Sequence, residues 1–186
     1  KLKYKSLDIT AKEAYKKSIT RLKDYIRSGD VYIANMTQRF YCHNEEDSFT
    51  IYKKLRKINK APFSAYLNFN DFQIISSSPE RFIQIKERIA HTRPIKGTRP
   101  RGSSAEEDER NKLELINSEK DKAELLMIVD LERNDFSKVC KAGTVKVKEL
   151  FALEEYATVF HLVSTIEGEL EDNISAVKVM EECFPG

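Results

Sequence analysis

An α+β fold, with helices accompanying mainly antiparallel strands, is what this sequence predicts, on three observations. Amphipathic segments of helical period, three of them introduced by a capping signal, stand early in the chain and again in its second half. Between them lies a stretch rich in alternating apolar residues. Strands there follow one another directly instead of alternating with helices, which argues against a βαβ ladder.

Taken in order, TAKE (10–13) reads as a capping box, with Tyr15, Ile19, Leu22 and Ile26 at helical spacing behind it and Gly29 as a C-terminal stop. This predicts a helix over about residues 11–28. Residues 31–42 are rich in β-branched and aromatic side chains and predict a strand. Residues 48–59 place Ile51, Tyr52, Leu55 and Ile58 on one face and predict a second helix. Segments 65–69, 72–76 and 81–92 alternate as antiparallel strands. The segment after them, 92–102, reads as a basic bend fixed by Pro94, Gly97 and Pro100. SAEE (104–107) is a second capping box opening a helix toward Ile116, and Ser118 caps another that runs to about Arg133. Strands are predicted over 144–147 and 160–170, and a closing helix over 174–184.

The 186 residues are 40% hydrophobic and 33% charged, with ten Phe and eight Tyr, so one domain with a real core is expected and disorder is excluded. A net charge of +2, from 32 basic and 30 acidic residues, gives no electrostatic footprint for nucleic acid. The basic run KKLRKINK (53–60) has helical spacing and reads as a solvated face. Three widely spaced cysteines make neither a disulfide framework nor a zinc pattern, which suggests a reducing, cytoplasmic setting. No run of eighteen apolar residues occurs, so no membrane helix is expected.

Four places in the chain offer chemistry. Lys96, in TRPIKGTRPRG, is either a nucleophilic amine, with Arg93, Arg99 and Arg101 close by to depress its proton affinity, or one more charge on an exposed loop. Glu80 is either a general acid–base or a partner of Arg81. Asp121 and Glu124, three apart on a helix, share a face; they either hold one Mg²⁺ or pair with Lys120 and Lys122. His161, in a strand, is either a satisfied half-buried histidine or a proton donor. There is no P-loop, dinucleotide fingerprint or Ser-His-Asp arrangement.

SSSPERF (76–82), TRPIKGTRPRG (92–102), ELLMIVDLERND (124–135) and HLVSTIEGEL (161–170), in this order, resemble the motifs of the chorismate-utilising enzymes. GDVYIANMTQRF (29–40) and APFSAYLNF (61–69) extend the resemblance over essentially the whole chain. That family includes the anthranilate, aminodeoxychorismate, isochorismate and salicylate synthases. Its fold implies two packed antiparallel sheets with helices on the outer faces. Within the family, Pro94-Ile-Lys-Gly-Thr98 is similar to the aminodeoxychorismate synthase branch, whereas anthranilate synthases carry alanine at the lysine position.

The resemblance implies amination of chorismate at C4 on the way to para-aminobenzoate and folate, with ammonia from a separate glutamine amidotransferase subunit. It makes Lys96 the nucleophile, Glu80 the acid–base, His161 a pocket residue near the leaving hydroxyl, and Gly97 and Thr98 substrate-binding residues. It makes Glu124, with Asp121 beside it, a ligand of Mg²⁺, and gives Arg133, Asn134 and Asp135 a structural role. Pro62, Phe63 and Ser64 match a segment that binds tryptophan in some members. The family pattern continues past the final Phe-Pro-Gly with a glycine-rich segment and a second metal glutamate, and begins further upstream. Residues 1–186 are therefore expected to be an incomplete catalytic domain, weakly active or inactive by itself. The rival expectations are anthranilate or isochorismate synthesis, or, for the isolated piece, a non-catalytic binding module.

Overall fold

The structure, a computed structural model, describes the backbone of residues 9–185 and the side chains from residue 12 onward. It is a mixed α+β arrangement with two antiparallel sheets, and it divides into two compact units, residues 1–47 and residues 48–186.

In the first unit, helix α1 (Ile9–Ser28) begins upstream of the expected start, and the Thr10 side chain lies outside the described residues. Gly29 ends it as expected. Its φ of +80° lets its N–H reach the Ile26 carbonyl (3.2 Å), while Asp30 N–H reaches Tyr25 (2.9 Å), so two otherwise unpaired carbonyls are satisfied. The strand expected over 31–42 does not form. Among the described residues this segment has no ladder partner, and a strand is stabilised only by its neighbour. The Tyr15 hydroxyl holds it to α1 through the Met36 carbonyl (3.0 Å).

In the second unit, helix α2 (Ser48–Ile58) lies on a two-stranded sheet of β1 (Phe63–Asn68) and β2 (Gln73–Ser78). Phe49 and Tyr52 pack their rings on Tyr66 at 5.2 and 5.7 Å, and the Ser48 hydroxyl bonds the Tyr66 hydroxyl. The larger sheet contains β3 (Arg81–Lys86), β4 (Ile89–Arg93), β5 (Ile95–Pro100), β6 (Lys146–Glu155) and β7 (Val159–Glu169). The alternating run 81–92 is thus a hairpin. Its turn, Glu87-Arg88, takes positive φ values of 49° and 65° without any glycine or asparagine to announce it.

Strand β7 organises this sheet. Strand β6 follows one of its edges, while β4 and then β5 share the other, pairing with residues 166–169 and 159–163 respectively. Pro94 separates β4 from β5 because it has no N–H to give the ladder, yet its carbonyl still accepts from Ser164 N–H (3.2 Å). The basic bend expected at 92–102 is therefore mostly strand, since β7 offers it a partner that sequence spacing does not reveal.

Helices α3 (Ala105–Ile116) and α4 (Glu119–Ser137) pack on this sheet. α3 is capped by Ser104 and α4 by Ser118, each accepting from the backbone N–H three residues on. Glu107 reaches back to Ser103 N–H instead of Ser104, so the capping box is displaced by one residue. α4 extends four residues beyond the expected end, because Phe136 is still on its buried stripe. With α5 (Ala176–Cys183), these helices bury Leu115, Leu125, Val129, Phe136 and Val179 against Phe160, Leu162 and Ile166 of β7. Phe136 and Phe160, each 1% exposed, are the largest fully buried side chains among the described residues. Phe136→Ala is expected to destabilise this unit by about 3–5 kcal/mol. Thermal melts would read that as a drop of about 10 °C in Tm.

Candidate functional site

Pro94 sets the geometry of the site. Because it interrupts the ladder, the next amide, Ile95 N–H, is free to bind a side chain, and Glu80 Oε1 accepts it at 2.8 Å. Glu80 stands in the β2–β3 connection, where Ser78 steadies the turn by accepting from Glu80 N–H (3.3 Å) and donating to its carbonyl (3.1 Å). Arg81 is not its partner: that guanidinium donates to Gln84 and lies over the Phe63 ring. Glu80 is thus aimed by backbone and leaves Arg81 to other contacts.

Lys96 follows at once on β5, paired with Leu162. Its Nζ donates to the Ile95 carbonyl (3.2 Å), and among the described residues no carboxylate forms an ion pair with it. Lys96 and Glu80 line one pocket of about 400 Å³ together with Ser78, Arg81, Phe82, Ile128, Glu132, Phe184 and Pro185. The three nearby arginines are not bare charges. Arg93 pairs with Glu154, Arg99 with Glu114 and Asp121, and Arg101 with Asp108. The supply of neighbouring cations expected from the sequence is neutralised locally.

After Lys96 the strand bulges: Lys96 pairs with Leu162 but Thr98 with His161. Gly97 is the extra residue, at φ +79°, a conformation other residues adopt only at a cost. A Cβ there would stand 2.9 Å from Asp121 Cβ and 2.9 Å from Leu115 Cδ1, so the bulge sits directly on the α3–α4 corner. Thr98 then bonds His161 Nδ1 at 2.9 Å. Burial lowers the His161 pKa below its usual value, against the pull of Glu154, the Gly97 backbone and Glu80, which leaves a neutral imidazole at neutral pH. His161 stacks edge-on to Tyr156 and does not line the Lys96 pocket.

Asp121, at the start of α4, is engaged across 22 positions by Arg99 (3.0 Å), not by Lys120 or Lys122. The Ser118 hydroxyl first, and then Arg99, hold its carboxyl below the usual aspartate value against the opposing effect of burial. Glu124, one turn on, has no ion pair or hydrogen bond among the described residues. Of the two, Glu124 is the one with oxygens to spare for a cation, whereas Asp121 would have to share with Arg99. No group of three or more metal-binding side chains occurs among the described residues. Pro62 and Phe63 line a separate pocket of about 170 Å³ with Arg81, Arg93, Glu154 and Tyr156, while the Ser64 hydroxyl is spent on Ala61 (2.8 Å). Arg133 pairs with Asp130, and Asp135 with Lys138, both within or at the end of α4.

Glu132 is the residue that sequence reasoning missed. It lies on the buried stripe of α4 with Leu125, Ile128, Val129 and Phe136, and a carboxylate at such a position is the signal that could have found it. Its Oε2 is buried without a hydrogen-bond partner among the described residues. Burial pushes its carboxyl up to about 7; Glu80 and Asp135 act the same way, while Thr92 and Lys96 oppose. Folding therefore takes up a proton here between the ordinary value of 4.5 and about 7. Stability is expected to fall as pH rises across that window, by on the order of 3 kcal/mol. Glu132→Gln should remove the slope, which urea unfolding at a series of pH values measures.

Among the described residues no helix is long and apolar enough to cross a membrane. All three cysteines are free, and burial pushes the Cys140 and Cys183 thiols up to about 11.

Comparison with known proteins places this geometry in a family. The chain is 44% identical over 174 residues to aminodeoxychorismate synthase component 1 of Bacillus subtilis, covering 94% of this chain and 37% of that protein. It is equally, 44%, identical over 174 residues to anthranilate synthase component 1 of Saccharolobus solfataricus, covering 94% and 41%. The crystal structure of anthranilate synthase component I from Streptococcus pneumoniae superposes with a TM-score of 0.81 at 31% identity, over 92% of this chain and 38% of that one. The chain thus spans less than half the length of these relatives. The family model described as chorismate binding enzyme matches residues 3–186, and the chain belongs to that family.

Proposed function

We propose that the full-length protein containing this chain aminates chorismate at C4, with ammonia as the nitrogen source, to give 4-amino-4-deoxychorismate. The observation that carries the reading is the lysine of Pro94-Ile-Lys-Gly-Thr98 sharing one pocket with Glu80. An amine and a backbone-held carboxyl side by side suit a substitution split into two steps. The neutral Lys96 amine attacks C2 of chorismate as the C4–O bond breaks, and Glu80 gives its proton to the departing hydroxyl, releasing water. Ammonia then adds at C4, the C2–N bond to Lys96 breaks, and Glu80 takes back a proton.

Thr98 and His161, bonded to each other, flank the bulge on which the substrate would rest. Mg²⁺, when bound, would offset the charge of a substrate carboxylate, and Glu124, which has no ion pair or hydrogen bond among the described residues, would hold it. The ammonia would come from a glutamine amidotransferase partner, in line with the naming of the relatives as component 1.

Anthranilate synthesis is the second reading, favoured by the equal identity to an anthranilate synthase component 1. Incubating the full-length protein with chorismate, an ammonium salt and Mg²⁺ separates the two by product. Aminodeoxychorismate as the main product is expected, and anthranilate or isochorismate in its place would overturn the reading.

A further inference from the structure

One group in the Lys96 pocket has no part in the chemistry above. Glu132 enters it from α4, with Oε2 buried and unpartnered, and lines it beside Lys96 and Glu80. Among the described residues Lys96, for its part, has only its neighbour's carbonyl as acceptor. We propose, building on the amination chemistry, that Glu132 is the proton acceptor and donor for Lys96 during the covalent cycle.

The cycle needs such a group. When the amine bonds to C2 it becomes a secondary ammonium, and that proton must leave if the adduct is to persist. It must return before the C2–N bond can break with a neutral amine as the leaving group. Glu80 is occupied in both steps, first giving its proton to the departing hydroxyl and then taking one from the new C4 ammonium. Glu132 as carboxylate accepts the lysine proton after the first bond forms and gives it back before the second breaks. Over the cycle Lys96, Glu80 and Glu132 each end as they began, with ammonia and chorismate converted to aminodeoxychorismate and water.

The surroundings suit the task. Glu80 from the β2–β3 turn and Asp135 from α4 itself repel a charge on Glu132, while Lys96 from β5 attracts it. Arg81 from β3 lines the same pocket, and Cys183 of α5 lies within reach of the charge. Burial then brings the carboxyl to about 7, where it can both take and release a proton at neutral pH.

The test uses Glu132→Gln and Glu132→Asp in the full-length protein. In the wild type, kcat is expected to rise with pH through an acid limb near 7. In Glu132→Gln the limb should vanish and kcat fall by roughly a hundred-fold, with KM for chorismate unchanged. Glu132→Asp should restore part of both. Acylation of Lys96 across pH, without substrate, should shift its midpoint down by about one pH unit in Glu132→Gln, because a neighbouring negative charge is lost.

A wild-type kcat profile in Glu132→Gln, or an unmoved Lys96 acylation curve, would overturn the proposal. If the wild type makes anthranilate or isochorismate, amination is what fails, and the acylation curve decides the Glu132–Lys96 exchange by itself. Should Glu132→Gln not fold, the ¹³C carboxyl resonance of Glu132 in the wild type decides: a midpoint near 7 supports the proposal and one near 4.5 overturns it.

Discussion

Lys96→Ala is expected to lower ammonia-dependent turnover of chorismate by at least about a thousand-fold in the full-length protein, the scale on which loss of a covalent nucleophile is felt. The covalent mass increase expected on incubating the wild type with chorismate should disappear with it. Lys96→Arg sharpens the experiment, since arginine keeps the positive charge but stays protonated and cannot attack carbon. If Lys96 acts as a nucleophile, Lys96→Arg is as inactive as Lys96→Ala. Substantial turnover in Lys96→Arg would instead assign the position a charge role. The pocket favours the first outcome. Lys96 shares it with the backbone-held Glu80 and, among the described residues, forms no ion pair of its own.

Gly97→Ala carries the largest expected effect on stability at the site. A non-glycine residue at φ +79° costs about 1–2 kcal/mol. The added methyl would press on Asp121 Cβ and Leu115 Cδ1 at 2.9 Å, and such overpacking typically adds about 1–3 kcal/mol. The combined loss is expected at about 2–5 kcal/mol, seen as a lower denaturation midpoint at unchanged m-value. A change below about 0.5 kcal/mol would mean that the bulge moves away without cost, contrary to its tight seat on the α3–α4 corner. Activity should fall further than stability accounts for, because the bulge sets the offset between Lys96 and Thr98.

How much of this was legible beforehand varies with the range of the interaction. The caps at Ser104 and Ser118 and the stop at Gly29 are local, satisfied within a few residues, and they stand where the spacing puts them. The strand expected over 31–42 fails, and the bend over 92–102 becomes β5, for one reason. A strand exists only where a partner strand runs, and neither propensity nor proline content identifies that partner. Glu87-Arg88 makes a hairpin turn with ordinary residues, because the ladder on either side and the Arg88 contacts to the 170–171 segment hold it there.

The site divides the same way. Lys96, Glu80, Asp121, Glu124 and His161 could be picked out as candidate residues from their motifs. That Glu80 hangs on Ile95 N–H, that Asp121 belongs to Arg99, and that Glu132 shares the lysine's pocket could not.

The chemical types, the α+β class and the family reside in local patterns and in motifs kept in order, and so can be read along the chain. Which groups meet is set by the packing of distant segments. Pro94 frees an amide for Glu80, Gly97 lets β5 approach the α3–α4 corner, and α4 carries a carboxyl into an apolar stripe. These consequences arise from close packing and burial, which change a side chain's partners and its hold on a proton.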